Sequence, residues 1–317
     1  VEGTSQYNTL LKDLSLAPIE REPWGIEESQ ATDPFDVATI AIWGTFHIRR
    51  FLNRLFFRPA TPEIRILADM VSKLRAEVET RMGIKIKGAA LASPDRAGLT
   101  AYEMADVFEY LRMEDLVTDH YDPAIFRRLS SMAAAMAGYG EELCLNYTNV
   151  YQCAKEESRF PVRHILHLDY NNSTLSGGIQ RLKTAREFYF DNYFADLKLG
   201  SNHLKQDPAH ETEYLANLTK RIRGLVGDQK IEGLLLTGES ASEPRFLQVV
   251  RDVLSSNSLP FVTGLLEEAS SELLEKVLYA TSMGTAEMPK RRQEGMARCK
   301  MPNECFKPTD NGRQNEL

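Results

Sequence analysis

The sequence predicts an α/β fold. Amphipathic segments at helical spacing alternate along the chain with short apolar runs. Two of those runs end in polar or glycine turns, "HILHLDYNNST" (164–174) and "GLLLTGESASEP" (233–244), and the second opens directly into a helix pattern. A length of 317 residues suits one large domain or two lobes, and no internal repeat is visible.

Residues 1–35 are rich in Glu, Ser and Pro and read as an irregular leader, with a short amphipathic piece at Leu10, Leu11 and Leu14. "FDVATIAIWGTF" (35–46) is expected as a strand and "HIRRFLNRLFFRP" (47–59) as a short basic helix. That helix fits a packed element with an arginine face, or a helix meeting a membrane surface or a partner. Thr61-Pro62 starts the next helix, as N-cap and first helical residue. Ile64, Leu67, Val71, Leu74 and Val78 carry it, and Gly83 closes it in the left-handed conformation. A strand at 84–93, a helix at 100–113 and an Ala- and Met-rich helix over 124–139 follow.

"HILHLDY" (164–170) reads as a strand with Asp169 at its end, and 178–183 as the returning strand of a hairpin. The aromatic segment 184–200 is expected as a helix, as are 211–227, 243–256 and 267–288. Strands are expected at 231–237 and 259–263, and a loose tail from Lys290.

The chain holds 38 Lys and Arg against 45 Asp and Glu, a formal net charge of −7. That balance argues against nucleic acid or an anionic membrane as the main partner. No apolar run reaches the ~20 residues of a membrane span; "VATIAIWGTF" (37–46) is too short. A chain that begins at Val1 without a secretory signal is expected to be a processed or trimmed product. A cytoplasmic site is favoured, with the secretory pathway as the alternative. The four cysteines form two close pairs, Cys144/Cys153 and Cys299/Cys305, which fit two disulfides or free thiols. Their spacing does not suit zinc. Asn146, Asn171, Asn172 and Asn217 each open an N-x-Ser/Thr sequon.

Two loops carry candidate chemistry. In 169–174, Asp169 at a strand end can reach a magnesium-bound water, while backbone N–H groups and a hydroxyl among Asn171, Asn172, Ser173 and Thr174 can bond phosphate oxygens. A plain hairpin turn accounts for the same residues. In the second loop Gly238 lets backbone approach a ligand, and the helix start that follows offers N–H groups and a positive dipole end. Gly238, Glu239, Ser240 and Ser242 are the candidates there, the serines as caps or hydroxyl donors.

The order of the motifs resembles the actin-like ATPase superfamily, above all the nucleotide-binding domain of DnaK-type heat-shock chaperones, and also fungal proteins of that superfamily. "AALASP" (89–94) looks like the family's "VPA" strand end, and "LSSMAAAMAGYG" (129–140) like its "NEPTAAALAYG". "DYNNST" (169–174) looks like the second phosphate loop, "DLGGGT", and "TGESASEP" (237–244) like the adenosine loop, "GGSxxxP". Gly284-Thr285-Ala286 looks like the closing "GAA" helix. The resemblance covers roughly 61–292. It implies an actin-like (ribonuclease H-like) fold of two lobes with the first truncated: a leader with a degenerate first strand at 1–60, a remnant of the first lobe at 61–130, the second lobe at 131–292 and a tail at 293–317. It implies ATP or ADP with magnesium as ligand, Asp169 being the catalytic and water-mediated metal residue.

The departures from the family pattern matter as much. Trp43 stands near the place of the first-loop Asp, beside Gly44-Thr45. No equivalent of the family's assisting lysine is present. Ser130-Ser131 replace a Glu-Pro, and Asn171, Asn172 and Ser173 replace three glycines. Each lost catalytic group commonly costs ~2–4 kcal/mol of transition-state stabilisation. The expected protein is therefore a degenerate member with weak or no ATPase activity, and with a protein partner. Three readings compete with it. The first is an active ATPase or kinase in which Glu239, Asp191 or Asp196 replaces the lost acid. The second is a chain whose first lobe comes from elsewhere. The third is a secreted glycoprotein scaffold that binds no nucleotide.

Overall fold

The computed structural model describes residues 3–16, 37–94, 99–117, 129–185, 192–206, 208–255 and 271–295. The architecture is mixed α/β with small sheets. The elements are α1 (Ser5–Leu16), α2 (Val37–Leu55), α3 (Pro62–Met82), β1 (Gly88–Ala89), β2 (Ala92–Ser93), α4 (Ala101–Tyr110), β3 (Glu114–Asp115), β4 (Leu129–Ser130), α5 (Ser131–Gly138) and α6 (Val150–Glu157). There follow β5 (Arg163–Tyr170), β6 (Leu175–Leu182), β7 (Asn192–Asp196), α7 (Ser201–Gln206), α8 (Glu211–Val226), β8 (Gly233–Thr237), α9 (Pro244–Leu254) and α10 (Ser271–Glu294).

The main sheet has the order β7-β6-β5-β8. β5 pairs antiparallel with β6 and parallel with β8, so Asp169 lies opposite Ser176 on one side and Thr237 on the other. β8 is a continuous buried run, Gly233 to Thr237, as expected of a strand covered on both faces. α8 and α9 supply Leu218, Ile222, Phe246 and Val250 to the core on that sheet. A second core joins Met132 and Met136 of α5 to Ile165, Leu182 and Leu235. A third lies among α1, α3 and α4, where Leu10 and Leu14 meet Ile64, Leu67 and Val107.

α5 is almost wholly buried, and it packs along α10 at backbone contact. A Cβ on Gly138 would lie 1.9 Å from the Ala280 carbonyl oxygen. Small residues on both helices permit this approach, as the Ala-rich stretch suggests. Ser130 caps α5 by accepting from Ala133 N at 3.0 Å, so its side chain serves a helix terminus.

Several expected elements differ. Within the strand expected at 35–46, the described residues 37–46 are instead the first half of α2, which runs unbroken into the basic segment. Gly44 and Thr45 are mid-helix, and Thr45 Oγ1 donates to the Ala41 carbonyl at 2.9 Å, so there is no degenerate first phosphate loop at this place. Val, Ile and Trp favour strands only weakly, and Trp43, Phe46 and Arg50 share a helical face toward Tyr102 of α4. The leader contains α1, buried through Leu10 and Leu14. The strand at 84–93 shrinks to the two-residue pieces β1 and β2. Of the helix expected over 124–139, residues 124–128 lie outside the described residues, Leu129–Ser130 form β4, and the helix runs from Ser131.

The helix expected over 184–200 is wrong for 192–196, which form β7. Tyr193 and Phe194 stand opposite Gly178 and Gly177 of β6. The Phe194 ring fills the space above Gly177, within 3.0 Å of where a Cβ would sit. Aromatic residues covering strand glycines stabilise such pairs. The last helix extends to Glu294, through Pro289. Its "KRRQ" is docked rather than loose: Arg291 donates to the Cys144 carbonyl and Arg292 to the Val117 carbonyl. The strand expected at 259–263, Asp191 and the Cys299/Cys305 pair lie outside the described residues.

Candidate functional site

Asp169 and the "TGES" turn meet because β5 and β8 are parallel neighbours ending at the same level. Asp169 is half-buried. Its Oδ1 accepts from Thr237 Oγ1 at 3.0 Å, and its Oδ2 from Asn171 Nδ2 at 2.9 Å. A hydroxyl has one proton, and Thr237 gives it to Asp169. His167 Nε2, 2.8 Å from Thr237 Oγ1, is therefore the donor in that contact. His167 and Thr237 are buried, and sequence reasoning assigned neither a role. The signal was period-two alternation, which puts His167 and Asp169 on one face of β5.

Beyond the strand ends the two loops bond to each other. Asn172 N donates to Glu239 Oε1 at 3.2 Å, and Glu239 N donates to Asn171 Oδ1 at 3.3 Å. Ser240 N donates to the Tyr170 carbonyl at 3.0 Å. Gly238 has φ +104°, and a Cβ there would stand 2.4 Å from the Tyr170 carbonyl oxygen. Only glycine fits both the angle and the approach. The close approach that reads as room for a ligand is thus an approach to β5 itself.

A third segment, missed in the sequence, completes the cluster. Ser201 N and Asn202 N donate to the Asn171 and Asn172 carbonyls. Ser201 Oγ donates to Asn172 Oδ1 at 2.9 Å and lies 2.8 Å from Ser240 Oγ. Ser201 and Ser240 are buried, so these bonds satisfy groups removed from water. Ser173 Oγ and Thr174 Oγ1 face each other at 3.2 Å on the exposed side. Ser242 is half-buried and takes no part in this network.

Underneath, the Tyr170 ring stacks on Phe246 at 4.3 Å, coupling the end of β5 to the start of α9. Tyr214 donates to the Leu199 carbonyl, so the Tyr170 hydroxyl is the donor to Tyr214 at 3.0 Å. Burial, then this bond to Tyr214, pushes the Tyr170 phenol far above its usual range. On the other side of the sheet Tyr139 donates to the Leu236 carbonyl at 2.8 Å, and burial raises its phenol to about 12. Both tyrosines are structural donors and stay protonated at physiological pH.

The other nominated carboxylate within the described residues, Asp196, takes Lys198 N at 2.9 Å in the turn after β7. Cys144 and Cys153 are disulfide-bonded. They lie with Glu157 in a cluster of metal-ligating types, but both sulfurs are spent on the bond. Among the described residues no helix is long and apolar enough to cross a membrane.

No protein-family model matches the chain, and no curated protein does. Among solved structures it is similar to the ethanolamine utilization protein EutJ from Carboxydothermus hydrogenoformans, at 14% identity and a TM-score of 0.40, over 69% of this chain and 72% of that one.

Proposed function

We propose that this chain is a degenerate nucleotide-binding-fold protein of the actin-like ATPase type, which acts as a binding or regulatory protein rather than as a catalyst. The observation that carries this reading is the bond from Asn172 N to the Glu239 carboxylate. A phosphate loop offers free N–H groups to an anion. Here a carboxylate of the facing loop already takes one, and a phosphate approaching it meets a like charge worth ~1–4 kcal/mol at contact distance. The Asn171 and Asn172 side chains fill space that glycines would leave open, and their amide groups are committed within the cluster. The residues present do not fit magnesium ATP in the family's manner, and no phosphoryl-transfer step is derived for them.

Calorimetric titration of the full chain with ATP and ADP, with and without magnesium, tests this. Weak or absent binding is expected, strengthened in Glu239→Ala. Tight magnesium-dependent binding, with turnover abolished by Asp169→Ala, would overturn it. That outcome would favour an active ATPase using Glu239, the nominated acid that lies against the 171–174 loop.

A second reading, a secreted glycoprotein scaffold, is favoured by the Cys144–Cys153 bond, since disulfides persist in oxidising compartments. Asn146 is exposed on the same disulfide loop, and Asn217 is exposed on α8. Mass spectrometry of protein from its native source, with and without glycosidase, decides between the readings.

A further inference from the structure

Helix α2 is packed through a face that carries the buried Phe46 and Arg50. Arg50 lies over the Phe46 and Tyr102 rings at 5.1 and 5.0 Å and pairs with Asp106 at 2.6 Å. Arg54 pairs with Glu109 one turn on. The face turned away carries Ile48, Phe51, Leu52 and Leu55 at i, i+3, i+4 and i+7, and Phe56 and Phe57 extend it past the last turn. These six side chains are 44–69% exposed. An amphipathic helix ordinarily buries that stripe and exposes its charges.

We propose that this face docks on an anionic lipid bilayer. Charge selects the occupant. At 100° per residue, Arg49 borders the stripe on one edge and Arg54 on the other. Arg58 lies at its end, near Arg112, whose guanidinium stacks on Phe57 at 4.2 Å. Residues 47–58 hold four arginines and no acid, in a chain of net charge −7. Among the described residues neither Arg49 nor Arg58 has an ion-pair partner.

Two copies meeting through this face about a two-fold axis would set these arginines against themselves. α3 also exposes Leu74, Val78 and Met82, but Glu77 and Glu79 are interspersed there. An apolar stripe edged by Arg49 and Arg58, with Glu109 taken up by Arg54, suits the lipid interface. The rings and aliphatic groups enter the acyl boundary while the guanidiniums stay at the phosphates. The proposal is independent of the loops around Asp169.

Flotation of the full chain with vesicles of equal parts phosphatidylcholine and phosphatidylserine, against pure phosphatidylcholine, tests it. Binding to the anionic vesicles is expected, weakened as salt is added. Arg49→Gln and Arg58→Gln should each weaken it about fivefold. Phe51→Gln/Leu55→Gln should abolish it with the circular dichroism spectrum and melting midpoint retained. These substitutions leave the Arg50 and Arg54 anchors in place. Absence of binding, or equal binding to neutral vesicles, overturns the proposal. So does concentration-dependent dimerisation, or capture of an acidic protein, that the double variant abolishes while lipid binding is absent.

Discussion

Gly284 of α10 passes so close to α5 that a Cβ built on it would lie 1.7 Å from the Ala134 carbonyl oxygen. Nothing flexible lines that contact, since Gly138 N and the Ala134 carbonyl carbon are its other near neighbours. Gly284→Ala must therefore push two buried helices apart, at a cost of about 3 kcal/mol. Gly44 in α2 is the control, with nothing within 4 Å of where its Cβ would sit. Gly44→Ala should be stabilising, by up to about 1 kcal/mol. Urea unfolding midpoints of the two variants check both signs.

The Arg50–Asp106 pair is buried between α2 and α4. Removing one partner leaves a charge without compensation, so Arg50→Met alone should cost about 3–5 kcal/mol. Arg50→Met/Asp106→Leu should recover most of that loss, because apolar replacement of both partners is often neutral. A double-mutant cycle by chemical denaturation measures the recovery.

Asp106 also sets a pH dependence. Burial raises its carboxyl above the ordinary value of 3.8, and the Arg50 bond offsets this only in part. Glu142, beside Arg163, is raised for the same reason. A raised folded value means that the native state binds the proton more tightly than the unfolded chain. Stability contributed by these two groups is fully present below the unfolded values and falls as pH rises through the folded ones. Asp106→Asn should flatten its share of that decline when unfolding free energy is followed from pH 3.8 upward.

The Cys144–Cys153 bond closes a loop of sequence separation 9. Chain-entropy arguments give such a loop about 2.5 kcal/mol of stabilisation. Cys144→Ser/Cys153→Ser should lose roughly that amount, and the wild type should lose it in reducing buffer. Thermal melting with and without reductant is the check.

The β5–β6 hairpin and the β8-turn-α9 unit were legible because local chemistry dictates them. Asn and Ser fill the turn at 171–174, and Gly238 and Pro244 bracket the second. Helix α3 was legible from apolar spacing and its Thr61 cap, and α4 and α8 were expected as helices; the Thr100 capping box of α4 went unread. Long-range partners were not. Whether 192–196 is strand or helix depends on Gly177 and Gly178 lying opposite, and α2 depends on Asp106 receiving Arg50. In the candidate site the two loops were visible as separate signals. That they spend their hydrogen bonds on each other, with Ser201 wedged between, depends on a register that no local pattern encodes.

That register also implies an order of assembly. Asp169 receives Asn171 from two residues away, but Thr237 from 68. The hairpin can close as soon as its short turn forms, whereas β8 can dock only after the intervening chain has collapsed with α8. The cluster around Asp169 is thus the last clasp to shut and the first to open. Pulse-labelled amide exchange should find Gln180 of β6, opposite Ile165 of β5, protected early and Leu235 and Thr237 late. In the native state, rare opening of the β5–β8 seam would expose Asn172 N and Glu239 together, as one event.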